Sequence, residues 1–367
     1  MSNPKVRMVR PRLGVREKFR VNKVLSTGNL AQGAEVLNFE KSFSQFVQGR
    51  RCVAVNSGTS GLQLALLALG IGPGDEVLVP DFTFAATGNA VMLVGATPVF
   101  VDIEPDTFNI DPSKIERSIN KKTKAVMPVH LYGMPSNMTA IQDLCKKYSL
   151  ILIEDAAQSH GASILNQAVG TFGEAAVFSF YPTKNVTSGE GGIVVVRDEH
   201  TELILRKLRN QGMIKRYENE MPGFNMRLSD IHAAIGIEQI KKLKRFNRER
   251  QKIAKRYTSG LTDRIVKPKV VDDSYEHVFH QYTIRVKNGK RDDLAKHLAR
   301  SGIETGIYYP TPLSQLKYFG PSSTMPEAKL ASSEVLSLPI YPSLSWRKQK
   351  LVIETINDYF ASEEPNL

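Results

Sequence analysis

The chain has 367 residues, of which 41% are hydrophobic, 23% charged and 8% aromatic. This balance is typical of a globular protein and excludes a collagen-like, coiled-coil or largely disordered chain. At about 150 residues per domain, the length predicts two or three domains. Lysine and arginine total 49 against 37 aspartates and glutamates, a formal net charge of +12, so the surface is expected to attract anions.

The sequence favours a soluble, cytoplasmic protein. It contains no run of about 18 apolar residues that could cross a membrane, and its basic start lacks the apolar stretch of a signal peptide. The two cysteines, Cys52 and Cys145, cannot build a disulfide framework or a four-cysteine zinc site within one chain. The histidines have no metal-ligand spacing, so no metal is expected.

Short β-branched runs alternate with helical stretches over the first two thirds of the chain. Strands are predicted at residues 51–55, 76–79, 97–101, 125–129, 150–154, 175–180 and 192–196. Helical spacing or caps predict helices at residues 58–69, 84–94, 112–119 and 137–148. This alternation predicts an α/β fold with a mainly parallel sheet flanked by helices.

The last third of the chain has a different pattern. Residues 230–257 read as one long helix, first apolar and then densely basic, which would connect two domains. A strand at 280–286 and helices at 291–301 and 346–360 predict a smaller α+β domain. We therefore expect an N-terminal arm or helix at 1–33, a large domain at 34–240, and a connector helix with a small domain at 241–367.

The first candidate motif is the turn Asn56-Ser-Gly-Thr-Ser60, directly after a predicted strand and before a helix. In such a turn, N–H groups and hydroxyls at the positive end of the helix dipole point toward one spot, which favours binding of a phosphate there. The alternative is a merely capped helix. The chain has neither a GxxxxGK[ST] loop nor a GxGxxG turn, which weakens nucleoside triphosphate and Rossmann interpretations.

The second candidate is Asp155, at the carboxyl end of an apolar strand. Ligands of open α/β sheets bind beyond such strand ends, and a carboxylate there favours a cationic partner. Gln158 and His160 add hydrogen-bonding groups after two small residues. The alternative is a carboxylate that caps the next helix.

The third candidate is Lys184, in a turn between two predicted buried strands. Burial would lower the pKa of this lysine and leave a neutral amine able to attack a carbonyl. The glycines that follow, Gly189, Gly191 and Gly192, permit close approach of a ligand to the backbone. A solvated surface lysine is the alternative. Together, a phosphate cradle, a strand-end aspartate and a lysine meet the needs of pyridoxal 5′-phosphate.

The chain resembles the DegT/StrS family of sugar aminotransferases over about residues 20–358. Matching segments include NSGTS at 56–60, EDAAQSHG at 154–161 and GFNMRLSD at 223–230, with others at 75–77, 80–84, 98–102, 128–133 and 179–192. The resemblance implies a fold-type-I, aspartate-aminotransferase-like enzyme with a large domain and a small C-terminal domain. It also implies a homodimer, because an asparagine that matches Asn225 reaches the cofactor phosphate of the other subunit.

The resemblance implies a role for each matching residue. Lys184 would bind the cofactor aldehyde and move the proton, and Asp155 would pair with the pyridinium nitrogen. Gln158 would reach the ring hydroxyl, and Phe84 would cover one face of the ring. The residues implied to hold the phosphate are Gly58, Thr59, Ser60, Ser179 and Asn225 of the other subunit.

The implied activity is transfer of an amino group from glutamate to a nucleotide-diphosphate keto-sugar, giving an amino-sugar. Lys215 and Arg216, in a loop before Gly223, are candidates for the substrate diphosphate, and Tyr309 is a further candidate substrate residue. One alternative is a sugar dehydratase, although such relatives carry histidine at the position of Lys184. Another is a non-catalytic, cofactor-binding sensor.

The basic run at residues 241–250 has little interleaved aromatic content, so a solvated helix face is favoured over a nucleic-acid site. No nucleic acid or membrane partner is expected.

Overall fold

The computed structural model describes residues 4–320 and 325–362. Its helices are α1 (Val15–Thr27), α2 (Ala34–Ser44), α3 (Gly58–Ala68), α4 (Ala86–Leu93), α5 (Pro112–Ser118), α6 (Met138–Tyr148), α7 (Glu199–Arg209), α8 (Asp230–Ile240), α9 (Leu243–Gly260), α10 (Arg291–Arg300), α11 (Pro326–Glu334) and α12 (Trp346–Ala361). Its strands are β1 (Arg51–Val55), β2 (Glu76–Pro80), β3 (Thr97–Val101), β4 (Thr123–Val126), β5 (Ile151–Asp155), β6 (Ser163–Ile164), β7 (Gln167–Ala168), β8 (Ala175–Ser179), β9 (Gly192–Val196), β10 (Met213–Lys215), β11 (Glu218–Asn219), β12 (Tyr275–Glu276), β13 (Tyr282–Arg285) and β14 (Val335–Leu338).

The predicted α/β fold is confirmed, with one large sheet at its centre. Within the described residues this sheet has seven strands in the order β1-β9-β8-β5-β4-β2-β3. Strand β9 runs antiparallel to both of its neighbours, while the pairs from β8 through β3 are parallel. The sheet is therefore mixed but mainly parallel, and the strands other than β9 direct their carboxyl ends to one edge.

Both faces of the sheet are covered by helices, as expected for near-continuous apolar strands. On one face, α2 contributes the buried rings of Phe39 and Phe43, which pack edge-on against Phe180. On the other face, α3 buries Leu62, Leu64 and Leu66 against the sheet, together with apolar residues of α4 and α7. Burial from both sides holds the strand ends in fixed positions, which a site built on them requires.

A separate apolar cluster lies in the last third of the chain. It joins α9, α10 and α12 to the antiparallel pair β13 and β14, and Tyr257 and Tyr282 are among its fully buried side chains. Val6 also belongs to this cluster and forms a bridge with Ile303. The segment around Val6 is thus packed against the C-terminal third of the chain.

The structure differs from the sequence prediction at several elements. Strand β4 occupies Thr123–Val126 rather than 125–129, because Pro128 has no amide hydrogen to continue the ladder. The predicted helix at 230–257 is two helices, with a break where the Lys242 N–H donates to Gln239 only three residues back. The elements that were not predicted are helices α2, α7 and α11, strand β14 and the short strands β6, β7, β10, β11 and β12. No helix among the described residues has the length and apolarity to span a membrane.

Candidate active site

A cavity of about 520 Å³ opens at the edge of the sheet where the parallel strands end. The loops that follow β1, β2, β5 and β8 supply much of its wall. Among its lining residues are Lys184, Asp155, Gln158, Ser179, Phe84 and Tyr309, all predicted as site residues from the sequence. Because chain segments far apart in sequence end at the same edge, the fold brings these residues together.

One end of the cavity is the N-terminus of α3. Ser57 caps this helix, and its side-chain oxygen accepts a hydrogen bond of 3.1 Å from the Ser60 N–H. Gly58 and Thr59 line the cavity beside Ser179, the last residue of β8. A Cβ on Gly58 would lie 2.9 Å from Cβ of Ser179, so only glycine permits this close approach. The helix end and the hydroxyls form a cradle suited to a phosphate.

Asp155 is buried at the end of β5, and each of its carboxylate oxygens accepts a hydrogen bond. The Thr87 hydroxyl donates to Oδ2 at 2.8 Å, and the Ala157 N–H donates to Oδ1 at 3.2 Å. Burial raises the pKa of Asp155, and these two donors, together with the charge of Lys184, act in the opposite direction. A cationic ligand would offset the remaining cost of burying this charge.

Lys184 is half-buried in the turn between β8 and β9, and it lines the same cavity as Asp155. Burial lowers the pKa of Lys184 to about 8, although the Asp155 carboxylate favours the ammonium form. About a tenth of the lysine is therefore the neutral amine at pH 7, far more than for an ordinary lysine, and the neutral amine is the form that attacks a carbonyl. The direction of this shift is the one that the position of Lys184 predicted.

The side chain of Gln158 connects two parts of the cavity wall. Its Oε1 accepts a hydrogen bond of 2.8 Å from the Tyr132 N–H, and its Nε2 donates to the Tyr309 hydroxyl at 3.1 Å. The ring centroid of Phe84 lies 5.8 Å from that of Tyr309. Phe84 is 56% exposed, so much of its ring surface faces solvent at the cavity wall.

Four predicted site residues do not line the cavity. Ser60 lies beside it, with its hydroxyl 2.9 Å from that of Ser57. Asn225 is exposed, and Lys215 and Arg216 lie on the exposed hairpin of β10 and β11. The roles predicted for Asn225, Lys215 and Arg216 therefore require a second subunit or a movement of the hairpin.

Several residues of the site were not predicted. Thr87 holds Asp155, and Tyr132, His280, Gln281 and Tyr308 complete the wall. Thr83, just before α4, lies with its hydroxyl 3.3 Å from that of Thr87. The others come from distant segments and have no local signature.

The residues of the cavity fit pyridoxal 5′-phosphate. A helix N-terminus with hydroxyls suits its phosphate, a carboxylate suits its ring nitrogen, and an amine of lowered pKa suits its aldehyde. The cavity volume of about 520 Å³ also lies within the range of small-molecule sites.

Comparison with known proteins agrees with this chemistry. The model of the DegT/DnrJ/EryC1/StrS aminotransferase family matches residues 11–357. The dTDP-3-amino-3,4,6-trideoxy-alpha-D-glucose transaminase of Streptomyces venezuelae is 39% identical, covering 92% of this chain and 90% of the relative. The UDP-N-acetyl-3-dehydro-alpha-D-glucosamine 3-aminotransferase of Acidithiobacillus ferrooxidans is 40% identical, covering 88% of each. A protein of Geobacillus stearothermophilus named pleiotropic regulatory protein is 39% identical, covering 93% of each.

Solved structures give the same result. DesV of S. venezuelae, determined in complex with a ketimine intermediate, superposes with a TM-score of 0.91 at 37% identity, covering 95% of both chains. The protein ntda of Bacillus subtilis, determined with bound cofactor PMP, has a TM-score of 0.87 at 34% identity, covering 94% of this chain and 82% of that one. The chain therefore belongs to the DegT/DnrJ/EryC1/StrS aminotransferase family, and it is an aminotransferase that uses pyridoxal phosphate.

Proposed function

We propose that the protein transfers the amino group of L-glutamate to a nucleotide-linked keto-sugar, giving an amino-sugar and 2-oxoglutarate. The observation that carries the proposal is the meeting of Lys184, Asp155 and the N-terminus of α3 in one cavity. The substrate class is supported by two relatives that cover most of this chain and whose names describe transfer to dTDP-linked and UDP-linked sugars.

A different set of residues would bind each part of the cofactor. Gly58, Thr59, Ser60 and Ser179 would hold the phosphate at the end of α3. Asp155 would hold the ring nitrogen in its protonated form, with Thr87 keeping the carboxylate ionised and oriented. Gln158 would donate to or accept from the ring hydroxyl, and Phe84 would cover the ring. Bound in this way, pyridoxal phosphate supplies an aldehyde that reacts with amines and a ring that withdraws electrons from the reacting carbon.

Lys184 would act as the base and acid of both half-reactions. A lysine with a pKa of about 8 exists in both protonation states near neutral pH, so its neutral amine takes a proton and its ammonium returns one. Burial lowers the pKa of Lys184 and the Asp155 carboxylate raises it, so both protonation states of the lysine are present near neutral pH. Glutamate would donate the amino group in the first half-reaction, and the keto-sugar would receive it in the second.

We also propose that the active unit is a homodimer with shared sites. Asn225 is exposed on its own subunit and lies outside the cavity lined by its own chain. A contact from Asn225 to a cofactor phosphate would therefore come from the partner. The cytoplasm is the proposed location, supported by the two buried, free cysteines Cys52 and Cys145.

Lys215 and Arg216 are proposed to bind the diphosphate of the nucleotide sugar. Lys215 lies 3.8 Å from Glu218, and Arg216 stacks on the exposed ring of Tyr217. Both are exposed, so an anionic substrate could displace these weak contacts. Changing both to Ala should raise the KM for the keto-sugar and leave the glutamate half-reaction unchanged. An unchanged KM would contradict this assignment. Tyr309, which lines the cavity, is proposed to contact the sugar.

Two other functions on the same fold are less well supported. A sugar dehydratase would give a product whose sugar has gained no amino group. The lysine at position 184 favours amino transfer over that reaction. A sensor is favoured only by names, those of the G. stearothermophilus relative and of the erythromycin biosynthesis sensory transduction protein EryC1 of Saccharopolyspora erythraea. A sensor has no need of Lys184, Asp155 and Gln158 together, since it moves no proton.

The test uses the protein loaded with pyridoxal phosphate and L-glutamate alone. We expect one equivalent of 2-oxoglutarate per subunit and loss of the absorbance of the lysine-bound cofactor. Lys184→Ala should abolish both, while Lys296→Ala, which changes an exposed lysine, should keep both. Addition of keto-hexoses linked to dTDP, UDP or GDP should then restore the spectrum and yield an amino-sugar. No 2-oxoglutarate, or turnover by Lys184→Ala, would contradict the proposal.

A further inference from the structure

Part of the wall of the catalytic cavity comes from the segment at residues 306–314, which follows α10. Tyr308 and Tyr309 belong to this segment and line the cavity. At its start, the Gly306 N–H donates to the carbonyl of Ser337 at 3.1 Å, and the Ser337 N–H donates back to Gly306 at 2.7 Å. Because Ser337 lies in β14, this end of the segment is attached to the antiparallel pair β13 and β14.

The other end of the segment is attached to the large sheet through Asp81, the residue after β2. Both oxygens of the Asp81 carboxylate accept from one residue, Oδ1 from the Ser314 N–H at 2.6 Å and Oδ2 from the Ser314 hydroxyl at 2.7 Å. The backbone carbonyl of Asp81 accepts a third bond, from the Leu313 N–H at 2.8 Å. Three bonds to two adjacent residues fix both the position and the direction of the segment at this point.

Asp81 itself is rigidly held and completely buried. Its N–H donates to the carbonyl of Val101 in β3 at 2.9 Å. Burial raises the pKa of its carboxyl group, and the two donors of Ser314 act in the opposite direction. A buried carboxylate is costly unless its oxygens are hydrogen-bonded, so each partner of this pair depends on the other.

Apolar contacts dock the residues around Ser314 on α4 and the sheet. Leu313 is buried in the cluster that includes α3 and β2, and the ring of Phe319 meets that of Phe100 edge-on, with centroids 5.1 Å apart. A Cβ on Gly88 of α4 would lie 2.7 Å from the Phe319 ring, so glycine permits this close contact. Apolar contacts are non-directional, so the directional constraint on the segment comes from its hydrogen bonds to Asp81.

Tyr309 lies between the two points of attachment. Its hydroxyl accepts from Gln158 Nε2 at 3.1 Å, and its ring centroid lies 5.8 Å from that of Phe84. A hydroxyl that accepts in this way can still donate its own hydrogen to a ligand. Phe84 follows Asp81 by three residues, so one short loop both faces the Tyr309 ring and holds the segment that carries it.

We propose that Asp81 and Ser314 are positioning residues that hold Tyr309 in place for the keto-sugar substrate. This inference rests on the proposed function, because it takes Tyr309 as a contact of the sugar. Asp81 and Ser314 are not among the residues that line the cavity, so they act on the substrate through the segment that carries Tyr309. Displacement of a substrate contact by about 1 Å can cost as much as about 100-fold in rate, which makes such a pair important for turnover.

The main experiment removes the serine hydroxyl. The probe is whichever dTDP-, UDP- or GDP-linked keto-hexose the wild type aminates fastest. Ser314→Ala should lose about tenfold or more in kcat/KM for this sugar and keep the rate of the glutamate half-reaction. Ser314→Thr keeps the hydroxyl, and Asp81→Asn offers an amide that accepts from the Ser314 N–H and donates to its hydroxyl, so both should stay close to the wild type.

The matched control is Ser113→Ala. It also removes a serine hydroxyl that donates to an aspartate, in this case Asp111 at 2.7 Å, but at the exposed start of α5. This variant should aminate the sugar as the wild type does.

A second substitution tests whether the effect passes through Tyr309. Tyr309→Phe removes the hydroxyl and should itself lower kcat/KM for the sugar. The double variant Ser314→Ala/Tyr309→Phe should then lose little more than Tyr309→Phe alone, because the pair has no contact left to position. The inference is wrong if the two losses multiply, if either single variant matches the wild type, or if Ser314→Ala slows the glutamate half-reaction by the same factor.

Crystal structures of the wild-type and Ser314→Ala holoenzymes test the positioning without any sugar. The Tyr309 hydroxyl should lie within about 3.5 Å of Gln158 Nε2 in the wild type and beyond this distance in the variant. An unchanged Tyr309 in Ser314→Ala would overturn the inference. If the wild type aminates no keto-sugar, the proposed function itself fails, and the two structures still decide whether the pair positions Tyr309.

Discussion

The hydroxyl of Thr87 donates a hydrogen bond of 2.8 Å to Oδ2 of Asp155. Thr87 belongs to α4, which follows β2, whereas Asp155 ends β5. The contact therefore joins two separate βα units at the carboxyl edge of the sheet. It opposes the effect of burial, which raises the pKa of Asp155, and helps keep the carboxylate ionised for a cationic ring.

Thr87→Val should weaken cofactor binding and slow the glutamate half-reaction, because Asp155 becomes a poorer partner for a protonated ring. Loss of a hydrogen bond to a charged group costs about 1.5–3 kcal/mol, which corresponds to a factor of about 10 to 150. The measurements are the Kd for pyridoxal phosphate and the single-turnover rate with glutamate. Thr87→Ser keeps the hydroxyl and should remain close to the wild type. Equal effects of the two substitutions would mean that packing, rather than the hydrogen bond, is what matters.

Capture of the cofactor by the apoprotein should depend on pH through Lys184. Burial lowers the pKa of Lys184 to about 8, so the neutral, reactive amine predominates above this pH and becomes scarce below it. The capture rate, followed by absorbance, should rise with pH and level off above pH about 8. Asp155→Asn should shift this midpoint to lower pH, since the carboxylate favours the ammonium form. Asp273→Asn, at an exposed position, should leave it unchanged; a common shift in both variants would contradict the pairing.

Mixing two inactive proteins should restore activity if sites are shared. Lys184→Ala removes the amine from its own cavity, and Asn225→Ala removes a side chain that lies outside its own cavity. After subunit exchange, each mixed dimer should contain one native site, so activity should rise toward one quarter of the wild-type value with random pairing. The activity of the mixture is compared with each variant alone under the same exchange conditions. No gain would count against a site completed by the partner's Asn225.

His160 should make the fold sensitive to acid. Its ring is fully buried among Phe43, Phe178 and Phe180, and burial lowers its pKa to about 3. The unfolded chain, with an ordinary histidine pKa of about 6.5, binds a proton that the folded chain excludes. The contribution of His160 to stability is therefore present above pH about 6.5 and is lost progressively as the pH falls toward 3.

Substitution of His160 should flatten this dependence. Between pH 7 and pH 5, the loss of unfolding free energy should be smaller by about 2 kcal/mol in His160→Gln than in the wild type. Denaturant unfolding of the apoprotein at the two pH values measures the difference. His200→Gln, at an exposed position, should behave as the wild type does. An unchanged pH dependence in His160→Gln would show that the buried ring does not control acid stability.

The sequence alone determined the fold class, the family resemblance and the core of the site. Strands such as β1 and β5 are short apolar runs. Asp155 ends one such run and Lys184 lies in the turn after another, so a local pattern was enough to select them. The family model, which matches residues 11–357, and the cofactor-bound relatives confirm the enzyme class and the cofactor. The direction of β9 had no local signal, because strand direction depends on which neighbours pair.

Only the tertiary structure decided which distant residues complete the site. Thr87 meets Asp155 across 68 positions of sequence, and Gln158 meets Tyr309 across 151. A short window of sequence records the chemistry of each side chain, but hydrogen bonding and burial are properties of the packed chain, and these set the pKa of Lys184 and the ionisation of Asp155.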